Sequence, residues 1–298
     1  MQLTLGPVLY YWPKARLDAF HEAIAAAPVD RVYLGEAVCS RRHEYRTGDW
    51  LEAAARLADA GKEVVLSSQV LMESESDLRA LRRFAANGRF LLEANDMGAV
   101  HTIAGHAPFI AGAQLNIYNA EALAFIASQG ANRWVPPLEM TRESLAAILA
   151  QKPPGVATEV FAYGRLPLAF SARCFTARHY DLPKDDCRYA CLDHPEGLAL
   201  STRDGEAFLV LNGIQTLSHR VLDLADALPD MRELGVDAVR LSPQPAHMDA
   251  VIAAFRAALD GAAADDVAAA LAPALPAAPC NGYWHGRPGL DYVVRQAA

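Results

Sequence analysis

The 298-residue sequence has no apolar run of the length that crosses a membrane, about 18 residues, and its first residues do not form a secretory signal. It also has no excess of positive charge, because 27 lysines and arginines stand against 35 aspartates and glutamates, a net charge of -8. A chain of this charge is not expected to have nucleic acid as its main partner, since that requires a basic face. We therefore expect a cytoplasmic protein without a transmembrane segment.

Several catalytic signatures are missing as well. No Gly-x-Gly-x-x-Gly follows the first predicted strand, and no phosphate-binding loop, His-Glu-x-x-His or Gly-x-Ser-x-Gly motif occurs. The sequence therefore gives no support for a dinucleotide-binding domain, or for serine-peptidase or zinc-peptidase chemistry. Hydrophobic residues make up 52% of the chain, which is enough for a large core.

Cysteine is scarce but unevenly distributed. Three of the five cysteines, Cys174, Cys187 and Cys191, share one polar stretch with the spacing C-x12-C-x3-C, and Cys39 lies far upstream. Soft sulfur ligands favour an iron–sulfur cluster, zinc or Cu(I). These four cysteines predict a metal centre whose spacing leaves iron–sulfur and zinc open, because only Cys187-x3-Cys191 resembles half of a zinc knuckle. Cys280 is interpreted as a small buried residue.

Short β-rich segments alternate with helical patterns along the chain. Eight repeats of a strand and a helix favour an α/β fold, specifically a closed (β/α)8 TIM-type barrel, over an open doubly wound sheet. The predicted strands are Leu3–Val8, Val32–Gly35, Glu63–Ser67, Phe90–Glu93, Phe109–Ala111, Arg133–Val135, Glu159–Tyr163 and Ala238–Leu241.

One stretch interrupts this alternation. Residues 165–214 follow the seventh strand and are too long for a plain loop, so we predict an inserted loop or hairpin that carries three cysteines. The whole chain, 1–298, is predicted to be a single barrel domain, with an Ala/Pro-rich linker and a docked tail over residues 262–298. Because loops after barrel strands share the C-terminal face, Cys39 can meet the other three cysteines there.

Four polar residues near predicted strand ends are candidates for chemistry. Glu36 could act as a general acid or base, bind substrate, or cap the loop that leads to Cys39. Arg173 could bind an anion or a cluster sulfur, or serve a structural role. Asn212 and Arg240 could face the barrel mouth, and Arg240 could instead lie inside the barrel beside a carboxylate.

Residues 159–174, EVFAYGRLPLAFSARC, resemble the signature of family 32 of the unclassified peptidases, the collagenase-like peptidases. That signature runs roughly E-x-F-x-H-G-x-x-C-x-x-Y-S-G-x-C. Tyr163 stands here in place of the histidine, Pro167 in place of the first cysteine, Phe170 in place of the tyrosine and Ala172 in place of the glycine. The missing cysteine would remove a cluster ligand, and Cys39 can supply a replacement.

Further blocks, including GEAVCS at 35–40, SARCFTAR at 171–178 and CNGYW at 280–284, resemble the branch of this family that supports oxygen-independent ubiquinone biosynthesis. The resemblance covers nearly the whole chain. It implies a [4Fe–4S] cluster on Cys39, Cys174, Cys187 and Cys191, and a role in hydroxylating the ring of the quinone precursor, with prephenate as the oxygen source. It also implies three partners: a homologous UbiU-like subunit in a heterodimer, a UbiT-like lipid-binding protein and the prenylated aromatic precursor.

Two alternatives remain open. Other branches of the family hydroxylate RNA bases, although the acidic balance of this chain counts against that activity. The chain could also be a non-catalytic partner subunit whose cluster only shapes the cysteine-bearing loop. Peptidase activity is not expected, since the sequence offers no clear nucleophile.

Overall fold

The computed structural model describes residues 1–294, and strands alternate with helices over its first half as the sequence predicts. The strands of this half are β1 (Gln2–Leu5), β2 (Arg31–Leu34), β3 (Glu63–Ser67), β4 (Leu91–Ala94), β5 (Phe109–Ala111), β6 (Ala131–Trp134) and β7 (Ala157–Phe170). The helices between them are α1 (Lys14–Ala26), α2 (Thr47–Asp59), α3 (Glu75–Ala85), α4 (Met97–Ile103), α5 (Ala120–Ser128) and α6 (Arg142–Leu149).

The second half begins with the predicted insertion and then returns to the barrel. It contains α7 (Phe175–His179), β8 (Leu198–Ser201), β9 (Ala207–Asn212), β10 (Gln215–Asp223), α8 (Leu228–Glu233), β11 (Ala238–Leu241), α9 (Met248–Leu259), α10 (Ala264–Leu271) and β12 (Pro279–Cys280).

Eight parallel strands close into a barrel. Strands β1 to β7 pair in sequence order, and β11 completes the ring by pairing with both β1 and β7. Val239 of β11 is in register with Leu3 on one side and with Val160 on the other. The predicted (β/α)8 TIM-type barrel is therefore confirmed.

Strand β7 is longer than the sequence predicts, because it serves two sheets. Its first half pairs with β6 and β11 in parallel, whereas Gly164 and the residues after it pair antiparallel with β10. Gly164 has a φ of +128°, and a Cβ there would lie 2.5 Å from the Cβ of Ser242. A glycine is therefore required where the strand leaves the barrel. Strands β8, β9 and β10 form an antiparallel sheet on this extension.

A charged network fills the barrel interior. Both oxygens of the fully buried Glu159 are used: Oε1 accepts from Arg240 Nε at 2.7 Å and from Thr4 at 2.7 Å, and Oε2 accepts from Tyr33 at 2.6 Å and from Arg133 Nη1 at 3.2 Å. These donors come from different strands of the barrel, so Glu159 ties its walls together.

The same network continues to Glu93 on β4. Arg240 Nη1 donates to its Oε1 at 2.6 Å, and Ser67 donates to the other oxygen. Although burial alone would raise it, Arg240 and Arg133 hold the pKa of Glu159 at about 2. The barrel core is therefore held by paired charges as well as by apolar packing.

The C-terminal segment packs against the fold. Part of the stretch predicted as an Ala/Pro-rich linker forms α10, because Val267 and Leu271 repeat at helical spacing and bury one face. Strand β12 then pairs with β10, and Cys280 within it is fully buried, as expected for a small apolar residue. The predicted tail extends to residue 298, and its last four residues lie outside the described part of the chain.

Candidate functional site

Four cysteines from two distant parts of the sequence line one pocket. Cys39 comes from the loop after β2, and Cys174, Cys187 and Cys191 come from the insertion. All five cysteines carry free thiols, and Cys280 lies elsewhere. Within residues 1–294, no three His, Cys, Asp or Glu side chains are arranged to hold a single metal ion. We call this place the cysteine pocket.

The loop that carries Cys39 is held by a close backbone approach and by a carboxylate. Gly35 has a φ of +142°, and a Cβ there would lie 2.4 Å from the Ser67 carbonyl oxygen. One oxygen of Glu36 accepts hydrogen bonds from the backbone N–H groups of Val38 and Cys39, each at 3.0 Å. Of the roles expected for Glu36, these contacts are those of a loop cap.

The insertion brings its cysteines inward by two short turns. Cys174 is the N-cap of α7, and its sulfur accepts from the backbone N–H of Ala177 at 3.4 Å. Between Cys187 and Cys191, both Arg188 and Tyr189 adopt left-handed backbone conformations, with φ of 49° and 54°. Non-glycine residues rarely adopt this conformation, so the turn that directs the last two cysteines to the pocket is strained.

A buried arginine lies beside the thiols. Arg42, 4% exposed, donates from Nη1 to the Leu9 carbonyl at 3.0 Å and from Nη2 to the Asn212 side-chain oxygen at 3.0 Å. Nη1 also lies 3.4 Å from a Glu36 oxygen. The buried Nε has no hydrogen-bond partner within the part of the chain that the structure describes. Arg42 therefore retains donor capacity and positive charge at the cysteine pocket, which it lines.

Burial and Arg42 act in opposite directions on the thiols. Burial raises the pKa of Cys191 to about 11, and the positive charge of Arg42 opposes that rise. Burial also raises the pKa of Cys39, again against Arg42. Cys39 and Cys191 are therefore protonated at neutral pH without a ligand, and Arg42 is placed to stabilise the thiolates that a metal centre would require.

The other candidates from the sequence take different places. Asn212 is fully buried, where it donates to the Leu9 carbonyl at 2.8 Å and accepts from Arg42. Arg240 lies inside the barrel beside Glu159, which is the second of its two expected positions. Arg173 is exposed. Of these three residues, Asn212 contacts the lining of the cysteine pocket, through Arg42.

A large cavity lies against the cysteine pocket, between α2 and α3. Its volume is about 1160 Å³, and we call it the side cavity. Arg41, Arg42 and Tyr189 line both spaces and therefore form the wall between them. Sequence reasoning missed Arg42 and this cavity. The only signal was the pair of arginines that closely follows Cys39.

The mouth of the barrel offers far less room. The cavity there measures about 40 Å³, and Leu9, Phe161 and Pro167 contribute to its lining.

None of the helices within residues 1–294 combines the length and the apolar character needed to span a bilayer.

One similar solved structure is the U32 peptidase Mk0906, with 14% identity, a TM-score of 0.45 and coverage of 83% of this chain and 94% of that one. Another is thiamine phosphate pyrophosphorylase from Pyrococcus furiosus, with 12% identity, a TM-score of 0.42 and coverage of 91% and 96%. At these values the neighbours establish neither activity nor substrate. The model of peptidase family U32 matches residues 15–290, so the chain belongs to peptidase family U32.

Proposed function

We propose that this chain is the iron–sulfur subunit of a complex of the UbiU–UbiV type, which is required for hydroxylation of the ubiquinone precursor ring without O2. The observation that carries the proposal is that four free thiols line one pocket next to the buried guanidinium of Arg42. The branch of the family follows from the resemblance to UbiV in the blocks around Cys39 and Cys174.

The donor set fits a cluster better than a single ion. Four thiolates on a cubane bind four different irons, so they stand farther apart than the ligands of one zinc ion. The four cysteines that line one pocket would supply the thiolates that such a cluster requires. The buried Arg42 offers compensating charge and an unpartnered Nε donor for a negatively charged group.

A [4Fe–4S] cluster held by Cys39, Cys174, Cys187 and Cys191 would supply one-electron transfer. The chain would hold Cys39 in place through Glu36 and would shield the site with the insertion. Because four cysteines would leave no iron coordination site open, electron transfer is favoured over direct binding of substrate to iron. A substrate-induced change at one iron in Mössbauer spectra would contradict this.

The assembly is part of the same proposal. A homologous UbiU-like subunit would complete the heterodimer, and a UbiT-like protein would deliver the prenylated aromatic precursor. These partners rest on the resemblance alone, as does prephenate as the source of oxygen.

The test is anaerobic purification with quantitation of iron and sulfide, together with EPR of the reduced protein. We expect about four irons and four sulfides per chain. Replacing Cys39 or Cys174 by Ala is expected to abolish both, whereas Cys280→Ala, in a buried position outside the pocket, is the matched control. Zinc, or no metal under strict anaerobiosis, would overturn the proposal.

A structural role for the cluster is the second candidate. It is favoured by the position of three cysteines within the insertion, so that a cluster would fix the shape of that surface. A Cys187→Ala chain that still binds its UbiU-like partner and still supports quinone synthesis would establish this role. Loss of synthesis with binding retained would establish the redox role.

A further inference from the structure

We propose that the side cavity binds an amphipathic ligand, an aromatic acid that carries an apolar chain, directly against the cysteine pocket. This inference rests on the proposed function and extends it, because it assigns the place and the chemistry of substrate recognition within this chain. The observations behind it are the cavity, its apolar wall, one excess positive charge in its lining and the wall that it shares with the cysteine pocket.

The side cavity has room for a small molecule. Its volume of about 1160 Å³ is slightly larger than the range for small-molecule sites, which is about 300–1,000 Å³. The cavity in the barrel mouth, at about 40 Å³, holds little more than a water molecule. Of these two spaces, the side cavity is therefore the one with room for a ligand of substrate size.

One wall of the side cavity is apolar. Helix α2 contributes Trp50, which is 6% exposed, and Tyr45 packs on it with a ring separation of 4.6 Å. Helix α3 contributes Leu81 and Phe84, and Met72 precedes that helix. Aromatic and flexible apolar side chains of this kind suit a planar ring and an apolar chain.

The charges around the side cavity leave a positive remainder. Arg41 pairs with Asp185, and Lys184 pairs with Glu73. Within residues 1–294, the exposed guanidinium of Arg83 takes part in no hydrogen bond or ion pair. The charge of Arg46 is partly compensated, because Arg46 acts with Lys14 to lower the pKa of Asp49.

Four carboxylates stand against five lysine and arginine side chains in the lining of the side cavity, which leaves one positive charge in excess. Glu36 accepts backbone hydrogen bonds beside Arg42, and Asp77 accepts one from Glu73. An anionic head group is therefore the complement of this rim.

The partition places such a ligand next to the thiols. Tyr189, held in the strained turn between Cys187 and Cys191, lines both the side cavity and the cysteine pocket. Its ring contacts Tyr11 and His43, with ring separations of 6.1 and 6.4 Å. A ligand bound in the cavity would therefore be separated from the cysteines by single side chains.

Binding is tested by calorimetry on the full chain purified anaerobically, with para-hydroxybenzoate carrying a geranyl chain as the probe. Geraniol and plain para-hydroxybenzoate each lack one half of the proposed ligand and should bind at least about tenfold more weakly. Equal binding of geraniol would mean that the cavity is only an apolar groove, and would overturn the inference.

A blocking variant locates the site. Ala80 lies on α3, is exposed and lines the side cavity, so Ala80→Trp fills the space without disturbing the core. We expect at least about a tenfold loss of affinity for the probe, because the added ring occupies its place. Ala80→Ser should bind like the wild type. Unchanged binding by the Trp variant would place the probe elsewhere and refute the assignment.

A charge variant tests the head group. Arg83→Gln should weaken the acid probe by about threefold to tenfold and leave its methyl ester unaffected. Arg79→Gln removes the same charge from an exposed position of the same helix that does not line the cavity. Equal losses in the two variants would show a general field effect and contradict a specific contact.

Iron is measured in the same preparation, so that a failure of ligand binding can be distinguished from a failure of the cofactor assignment. Cluster present without probe binding would overturn the inference and leave the proposed function standing. Probe binding that depends on Ala80 and Arg83, without any cluster, would support the ligand site and overturn the assigned cofactor.

Discussion

Two buried arginines in this protein have different electrostatic surroundings. Arg240, inside the barrel, lies 2.6 Å from a Glu93 oxygen and 2.7 Å from a Glu159 oxygen. Arg42, beside the cysteine pocket, donates mainly to the neutral oxygens of Leu9 and Asn212, and its one carboxylate contact is 3.4 Å long. The charge of Arg240 is thus balanced by the fold itself, whereas that of Arg42 is balanced only in part.

This difference separates the barrel network from the site that we propose to be functional. Burying a charge is expensive unless it is paired and hydrogen-bonded. The barrel meets that requirement with its own residues. At the cysteine pocket, thiolates or a negatively charged cluster would meet it, because Cys39, Cys174 and Cys191 lie close enough to raise the pKa of Arg42 together with Glu36, against the effect of burial.

The largest expected effect on stability comes from removing the Glu159 carboxylate from the charged network of the barrel. Glu159→Gln preserves shape but leaves Arg240, Arg133 and Arg31 without their shared carboxylate. We expect the free energy of unfolding to fall by about 3–5 kcal/mol, as when one partner of a buried ion pair is removed. Urea unfolding followed by circular dichroism measures it.

The control for this prediction is a surface pair. Asp185→Asn removes the exposed partner of Arg41 and should change stability by less than about 1 kcal/mol. A similar small loss for Glu159→Gln would show that the barrel does not depend on its charge network, and would remove the contrast with Arg42.

Removing the charge of Arg42 should have a smaller effect on stability than Glu159→Gln. Its main effect should be on the pKa of a cysteine beside it. Arg42→Gln removes the charge beside Glu36, which keeps two backbone hydrogen bonds, so we expect a loss of about 2 kcal/mol. Burial raises the pKa of Cys191 and the charge of Arg42 opposes that rise, so the pKa should rise further in the variant. The ultraviolet absorbance of the thiolate during titration measures it.

Its matched control is the neighbouring arginine. Arg41 also lines the cysteine pocket, but its side chain is 39% exposed and it pairs with Asp185. Arg41→Gln should leave stability and thiol titration nearly unchanged. Equal effects of the two substitutions would mean that the buried position of Arg42 has no special role.

The two sites also differ in how far the sequence could predict them. The barrel followed from the alternation of strands and helices, which depends on local pattern and repeats along the chain. The partners of Arg240 did not follow, because Glu93 and Glu159 are 147 and 81 residues away. Contacts over such separations depend on barrel register, which no local pattern carries.

The cysteine pocket was predictable in its members but not in its surroundings. Barrel topology places Cys39 on the same face as the insertion, so the four cysteines could be grouped from the sequence. The side cavity depends on how α2 and α3 pack beside the loop after β2, and Tyr189 reaches it only through an unusual backbone turn. Arg42 gave no signal that distinguished it from Arg41.

The buried carboxylate of Asp223 extends the comparison to the way in which stability depends on pH. Asp223 accepts the Ala225 N–H but takes part in none of the ion pairs within residues 1–294, and burial raises its pKa to about 6. The folded state therefore binds more protons than the unfolded state between about pH 4 and pH 6, so this residue lowers stability as pH rises through that window. Asp223→Asn should stabilise the protein by about 1–2 kcal/mol above pH 6.

The gain from Asp223→Asn should shrink as pH falls towards 4, which a series of thermal melts between pH 4 and pH 8 would reveal. The ionisation of Glu159 changes stability with pH in the opposite direction. Its pKa is lowered to about 2, so its stabilisation is present above its ordinary pKa and is lost as pH falls from about 4.5 towards 2. A gain for Asp223→Asn that does not depend on pH would mean that its carboxylate is not perturbed in the fold.

The smallest expected effect concerns the strained turn of the cysteine pocket. Arg188 is exposed and has a φ of 49°, so Arg188→Gly should relieve backbone strain without removing a buried contact. Relief of about 1–2 kcal/mol is opposed by the larger entropy of glycine in the unfolded chain, about 0.5–1 kcal/mol, which leaves a gain of about 0.5 kcal/mol. In helix α7, Arg178→Gly should instead destabilise by about 1 kcal/mol. If chemical unfolding shows a loss for both, the turn is not strained, and the geometry that directs Cys187 and Cys191 to one pocket carries no conformational penalty.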